Sequence, residues 1–215
     1  MPLVGPASAV RPPQLLVLLH CAGGDEHAWR RWWPLLPPGW VVVNLRAPRA
    51  MPRGGWFWYP VHFRRRGVHV SHRDVDAAFD VLDQVLDRLP AALGLAPVLP
   101  MAVAGFSQGG ALAAAAGLLW PERVGALAVF NARVLSRALQ RAARVPRMVN
   151  RHAYVAHGRD DEVIPAEEAW HTAAQLRRRG WRVEGCLEAG GHELRGRAVA
   201  RFARWLVELE GVRAQ

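Results

Sequence analysis

Gly105-Phe106-Ser107-Gln108-Gly109 lies between an apolar run, Val98 to Ala104, and an alanine-rich run, Gly110 to Leu119. The order reads as a strand, a sharp turn and a helix. Such a turn forces a serine hydroxyl out at the top of a sheet, and glycines at 105 and 109 leave room for strand and helix to pass closely. A serine hydroxyl is a poor nucleophile at neutral pH. It needs a nearby base and a third group that orients the base. The rest of the chain must supply those groups.

Outward from the turn, strand and helix patterns alternate. Leu15 to His20 is an apolar run without polar alternation, as a sheet buried on both faces requires. Val41 to Leu45 is a second strand. Pro97 to Ala104 leads into the turn, and Val124 to Phe130, Ala153 to His157 and Arg182 to Leu187 follow. Ser71 to Leu89 repeats apolar residues at spacings of three and four (Val75, Phe79, Leu82, Leu86, Leu89), a helical period. Ser71 and Asp74 resemble a capping box with a shorter acid. Further helices are expected over Ala166 to Arg179 and Arg195 to Leu209. The alternation predicts an α/β fold, a mainly parallel sheet with helices on both faces. Residues 1–14 read as an irregular, proline-rich lead-in and 15–215 as a single domain. Arg46 to Val70 and Asn131 to Arg151 read as long irregular stretches. The first carries Trp56, Phe57, Trp58 and Tyr59 and looks like a pocket wall.

Composition narrows the function classes. The net charge is +10 in 215 residues, yet all 28 basic residues are arginine. Together with abundant Ala, Gly and Pro, this is the usage of a GC-rich genome, which weakens charge as a sign of nucleic-acid or acidic-lipid binding. The arginines are also scattered. Arg177-Arg178-Arg179 closes a helix opened by Glu167 and Glu168, an arrangement that complements the helix dipole. Arg64-Arg65-Arg66 falls in an expected loop and could attract an anion. No segment approaches the ~20 apolar residues of a membrane span. Ala7-Ser8-Ala9 precedes the first apolar run instead of following it, so a signal peptide is not expected and a cytoplasmic location is.

A base and an orienting acid should follow in the order Ser, acid, His. After the strand ending at His157 comes Asp160-Asp161-Glu162-Val163-Ile164-Pro165. After the last strand comes Gly190-Gly191-His192-Glu193. Of nine histidines, only His192 sits in a glycine-flanked loop after the final strand. Spacing alone does not choose among Asp160, Asp161 and Glu162. In this arrangement Ser107 attacks an acyl carbonyl, His192 takes and returns the proton, and the carboxylate orients His192. An oxyanion hole needs two donors. The N–H of Gln108, after the nucleophile, is one, and the N–H of Ala22, in the loop after the first strand, is the other.

These motifs resemble the phospholipase/carboxylesterase family, which includes acyl-protein thioesterases and small bacterial carboxylesterases. The matching pieces are Leu19-His20-Cys21-Ala22-Gly23-Gly24-Asp25-Glu26, Arg46-Ala47-Pro48, Trp58-Tyr59, Gly105 to Gly110, His157-Gly158 with Asp161 and Val163-Ile164-Pro165, and Gly191-His192-Glu193. They span about residues 15 to 207. The resemblance implies an α/β-hydrolase fold, here without a separate lid domain, and it selects Asp161 as the acid, two before the Val of Val-x-Pro. Cys21 stands where the family usually has Gly, which would strain it if that site needs a positive φ. Asn131-Ala132 replaces a usual Ser-Gly, and Trp56-Phe57 is extra.

A disulfide between Cys21 and Cys186 is not expected, because in the usual strand order three strands separate them, roughly 19 Å at ~4.8 Å per strand, beyond the ~7 Å limit. His69 and His72 lack a third ligand for a metal, and His20 and His157 read as structural hydrogen-bonding groups. Taken together, the motifs read as a serine hydrolase acting on short to medium acyl esters or thioesters through an acyl-serine intermediate. Trp56, Trp58 and Tyr59 line its acyl pocket. No cofactor or metal is needed, the substrate is a small molecule, and the protein is a monomer or homodimer. Lactones or amides on the same triad are the alternative substrates. A non-catalytic basic interaction module with a hydrolase shape is the alternative class.

Overall fold

The computed structural model describes residues 3–4, 14–64, 67–95 and 101–213. In chain order its elements are β1 (Leu3–Val4), β2 (Gln14–Leu19), a 3-10 turn (Arg30–Leu35), β3 (Trp40–Leu45), β4 (Arg49–Ala50), β5 (Trp56–Phe57), β6 (His62–Arg64) and β7 (Gly67–His69). Then follow α1 (His72–Ala92), β8 (Met101–Phe106), α2 (Gln108–Leu119), β9 (Val124–Phe130), α3 (Ser136–Ala142), β10 (Arg151–Gly158), α4 (Glu167–Arg178), β11 (Trp181–Glu188) and α5 (Gly196–Arg213).

Seven strands form the main sheet in the order β1-β3-β2-β8-β9-β10-β11. β1 pairs antiparallel with β3, and the other six run parallel. The chain leaves β2 outward to β3, then crosses back to lay β8 against the other edge of β2. That reversal makes β2 and β8 the switch point, where the carboxyl ends of parallel strands leave a crevice. Ser107 follows β8, and the loop from His20 follows β2, so both arrive at that crevice.

Side chains alternate across the sheet, and so does the core. Leu15, Val17 and Leu19 pack in a cluster with residues of α1, α2, α3 and α4. Leu16 and Leu18 pack in the opposite cluster, with Trp29, Trp40, Phe202 and Leu206 around α5. Helices therefore cover both faces. α2 is buried along its whole length, and its Ala and Gly side chains let it lie close to the strands. α1 buries Val75, Phe79, Leu82, Leu86 and Leu89, the periodic residues of the sequence. Among the described residues, no helix is long and apolar enough to cross a membrane.

The structure corrects several expectations. The lead-in is not wholly irregular, since Leu3 and Val4 pair with Asn44 and Val43. Ser71 caps α1 without a side-chain hydrogen bond, and Asp74, its expected box partner, pairs with Arg49. The stretch Asn131 to Arg151 contains α3. Ala138 and Ala142 are buried on one side, while Arg137 and Arg141 are tied to Asp76 of α1. The stretch Arg46 to Val70 contains two short antiparallel pairs, β4 with β5 and β6 with β7. Arg65 and Arg66 of the arginine run, and residues 97–100 of the strand expected before Met101, lie outside the described residues. Cys21 and Cys186 are free thiols on strands or loops with three strands between them.

Candidate active site

The turn at Ser107 is set by backbone crowding. A Cβ on Gly105 would stand 2.2 Å from the Gly109 carbonyl, and one on Gly109 would stand 2.3 Å from the Leu19 carbonyl oxygen. Ser107 itself takes φ 54° and ψ −118°, a region that costs a residue with a side chain ~1–3 kcal/mol and is held only by its surroundings. Its N–H donates to the Phe130 carbonyl at 2.9 Å, which anchors the strained turn to β9.

The strained turn aims Oγ at the loop after β11. Ser107 Oγ lies 2.9 Å from His192 Nε2, and His192 Nδ1 lies 2.8 Å from Asp161 Oδ2. The Phe106 ring lies against His192, with centroids 5.1 Å apart. Asp161 is buried (7% exposed). Its Oδ1 accepts the N–H groups of Val163 and Ile164 at 2.9 and 2.8 Å. Its Oδ2 also accepts Asn131 Nδ2 at 2.9 Å. Burial pushes the Asp161 carboxyl up. The hydrogen bonds from Ile164, Asn131, His192 and Val163 outweigh it and hold the group below the usual carboxylate range. The site therefore keeps a buried carboxylate ionised against the imidazole. Asp160 does something else: its carboxylate accepts Gly190 N–H at 3.1 Å, and its own N–H donates to Gly190 O at 2.9 Å. It ties the loop of Asp161 to the loop of His192.

Two groups around the acid escaped the sequence reading. Asn131 sits at φ 45°, a conformation Asn tolerates better than most residues, and its amide bridges Asp161 to Gly191 O (3.1 Å). Its sequence signal was the polar residue directly after a fully apolar strand. The second is His157, a strand-end histidine whose ring also reaches Asp161. Its Nε2 lies 2.9 Å from Ile164 O and 3.2 Å from Asp161 Oδ2. Two acceptors at one nitrogen require that nitrogen to carry the proton.

The loop after β2 is held from below. His20 Nδ1 lies 2.6 Å from Cys21 O, and its Nε2 accepts Ala47 N–H at 3.0 Å. That fixes the proton on Nδ1. Burial lowers the His20 pKa, partly opposed by the Cys21 carbonyl. Cys21 is not among the described residues with positive φ, so the strain foreseen for it is absent; the turn is made at Gly23, φ 84°. Burial pushes the Cys21 thiol up, away from the reactive thiolate. Ala22 lines the cavity beside Ser107. Among the described residues, the N–H groups of Ala22 and Gln108 donate to no backbone carbonyl in loops or caps. Gln108 opens α2, where N–H groups lack helical partners.

That cavity has a volume of about 410 Å³. Tyr59 lines it together with Phe57, Met51, Val61, Leu135 and Ile164. Trp56 and Trp58 do not, which corrects the expected pocket. Trp58 is buried beneath the site, its indole N–H donating to His20 O at 2.8 Å. Trp56 turns the other way and stacks under the Arg46 guanidinium, 4.3 Å from the ring centroid. The Gln108 side chain fastens this segment, accepting Trp58 N–H and donating to Tyr59 O, both at 2.7 Å. Among the described residues, no group of three His, Cys, Asp or Glu could hold a metal.

The sequence profile of the phospholipase/carboxylesterase family matches residues 6–208. The chain belongs to that family. Family membership places it among hydrolases of the esterase type. No curated protein matches it in sequence. Among solved structures it is similar to esterase PE8 (24% identity, TM-score 0.80, covering 96% of this chain and 97% of the other). It is similar to the Bacillus cereus carboxylesterase (16%, TM-score 0.81, 97% and 93%) and to Zea mays acyl-protein thioesterase 2 (17%, TM-score 0.70, 97% and 98%). At these identities the structural likeness speaks for the α/β-hydrolase fold.

Proposed function

We propose that this family member is a serine hydrolase that cleaves carboxylic esters or thioesters of short to medium acyl chains. The observation that carries the reading is the continuous hydrogen-bonded chain from Ser107 Oγ through His192 to Asp161, ending at an apolar cavity. His192 Nε2 accepts the Ser107 proton as Oγ bonds to the acyl carbon. The ionised Asp161 holds Nδ1–H and stabilises the imidazolium. The carbonyl oxygen, now an anion, is received by the N–H groups of Ala22 and Gln108. The carbon–oxygen or carbon–sulfur bond then breaks, and the leaving group takes the proton from Nε2. Water repeats the sequence on the acyl-serine and frees the acid. All of these groups belong to the chain.

The test is hydrolysis of 4-nitrophenyl acetate, butanoate and octanoate by wild type and Ser107→Ala, with a fluorophosphonate probe on both. Wild type should turn over and label. Ser107→Ala should lose labelling and fall by roughly 10⁴-fold or more in turnover, with its circular dichroism unchanged. Near wild-type turnover in the variant would sink the mechanism.

A further inference from the structure

The cavity beside Ser107 is apolar except at one wall. Gln108 uses both of its side-chain polar atoms on the backbone of Trp58 and Tyr59. Among the described residues no Asp or Glu lines the space, and the single charged residue that does is Arg133. It follows Asn131 and Ala132 at the carboxyl end of β9, so its backbone is fixed to the residue that holds Asp161. Among the described residues Arg133 has no hydrogen bond or ion pair. Its neighbours on α3 behave differently: Arg137 and Arg141 both close on Asp76. The charge is felt inside the site, since it opposes the burial that pushes the Tyr59 phenol above its ordinary value.

A guanidinium at an apolar, half-enclosed wall is screened less than one in open water. Its planar fork fits a carboxylate through two parallel hydrogen bonds. Among the described residues the protein supplies no such partner. The opposing account is that the aliphatic stem covers apolar surface while the head stays in water; in that case the charge selects nothing.

We propose that Arg133 determines specificity by receiving an anionic group, a carboxylate, that the ester carries several carbons from its scissile carbonyl. The proposal rests on ester cleavage at Ser107. The carboxylate could lie on the acyl side or on the leaving group, and two pairs of substrates separate them. The acyl pair is the mono-4-nitrophenyl ester of adipic acid and its methyl ester. The leaving-group pair is 4-carboxyphenyl butanoate and its methyl ester.

The quantity read is the ratio of kcat/KM for the anionic and neutral members of each pair, which does not depend on how much of a variant folds. Wild type should favour the anion in at least one pair. Arg133→Gln should lower that ratio on the order of ten- to a hundredfold, the scale of a lost charged hydrogen bond. Arg133→Lys should restore part of it, and Arg133→Glu should invert it. The loss should sit mainly in KM, and salt should shrink the wild-type ratio. A ratio equal in wild type and Arg133→Gln for both pairs would overturn the proposal while leaving ester hydrolysis intact. No turnover of any of the four esters by wild type would overturn ester hydrolysis, and this proposal with it.

Discussion

The turn at Ser107 and the aromatic excursion from Arg46 to Val70 meet at the same cavity, but they are held in place by different means. The turn is fixed by backbone crowding: Gly105 touches Gly109 four residues on, Gly109 touches Leu19 of the neighbouring strand, and glycine is the only residue type that fits at either position. The excursion is fixed from outside. Trp56 exchanges two backbone hydrogen bonds with Gly23 and Gly24 (2.8 and 2.9 Å). Trp58 is held by His20 and Gln108, and Tyr59 by Gln108. Its own strands are two or three residues long, far too short to stand alone. A structure made by local crowding should break at one atom. A structure made by borrowed contacts should loosen by degrees.

The sharpest break is Gly105→Ala. The added Cβ meets backbone, at 2.2 Å, and backbone cannot rotate away. The loss should reach or pass the upper end of the ~1–3 kcal/mol typical of overpacking. At ~2–4 °C per kcal/mol for a chain of this size, a thermal melt should fall by roughly 6–12 °C or give no folded protein. A melt within about 2 °C of wild type would show that the turn has slack and that the contrast with the excursion is false.

Gln108→Ala comes next, because Gln108 belongs to both regions. Its backbone N–H, the proposed oxyanion donor, stays in place, while the side chain that fastens Trp58 and Tyr59 is lost. A buried backbone donor and acceptor lose their partner, and with water entering the space the side chain leaves, the loss should be about 1–2 kcal/mol in all. The melt should drop by less than in Gly105→Ala. Turnover should fall for the longer esters first, because the loosened segment carries Phe57 and Tyr59 of the cavity wall. An equal loss for acetate and octanoate would instead place the damage at the turn.

This difference also explains what could be read in the sequence. The turn, the apolar strands and the periodic face of α1 are local patterns, so their physics is written in consecutive residues. His192 and Asp161 were legible because each follows a recognisable strand, although choosing Asp161 over Asp160 took the family resemblance. The orientation of Trp56 and Trp58 was not legible. Aromatic residues in a row look alike until the partners that turn them are known, and those partners, His20, Arg46 and Gln108, are distant in sequence. The same holds for α3, whose seven residues carry too short a period and gain their arginine partner, Asp76, from α1.

The loop of Asp161 resembles the excursion, being held by polar partners from elsewhere, and pH tests it. The Asp161 carboxyl is lowered in the folded protein from its ordinary 3.8. A lowered acid binds its proton more readily when unfolded. Its contribution to stability is therefore fully present above the unfolded value and is lost as pH falls through the folded one. Urea unfolding of wild type and Asp161→Asn should differ most near neutrality. The gap should narrow as pH drops from about 5 through the ordinary carboxylate range and below it. A gap constant over that range would mean that the ionised form has no advantage in the fold.

The smallest effect belongs to Trp56→Leu, and it bears on how the excursion divides its side chains. Trp56 and Phe57 are consecutive on β5, so they point to opposite sides. Phe57 faces the cavity, and Trp56 faces Arg46. Leucine at 56 keeps an apolar contact with the core but loses the ring under the guanidinium, worth ~0.5–1 kcal/mol at a half-exposed site. The melt should shift by roughly 1–4 °C, and the ranking of acetate, butanoate and octanoate should not move. Phe57→Ala should give the opposite pattern, opening the wall and raising the relative rate of octanoate. If Trp56→Leu moved the ranking as Phe57→Ala does, Trp56 would turn into the cavity when substrate is bound. The aromatic wall would then be made of contacts that rearrange, in contrast to the turn at Ser107, where no rearrangement has room.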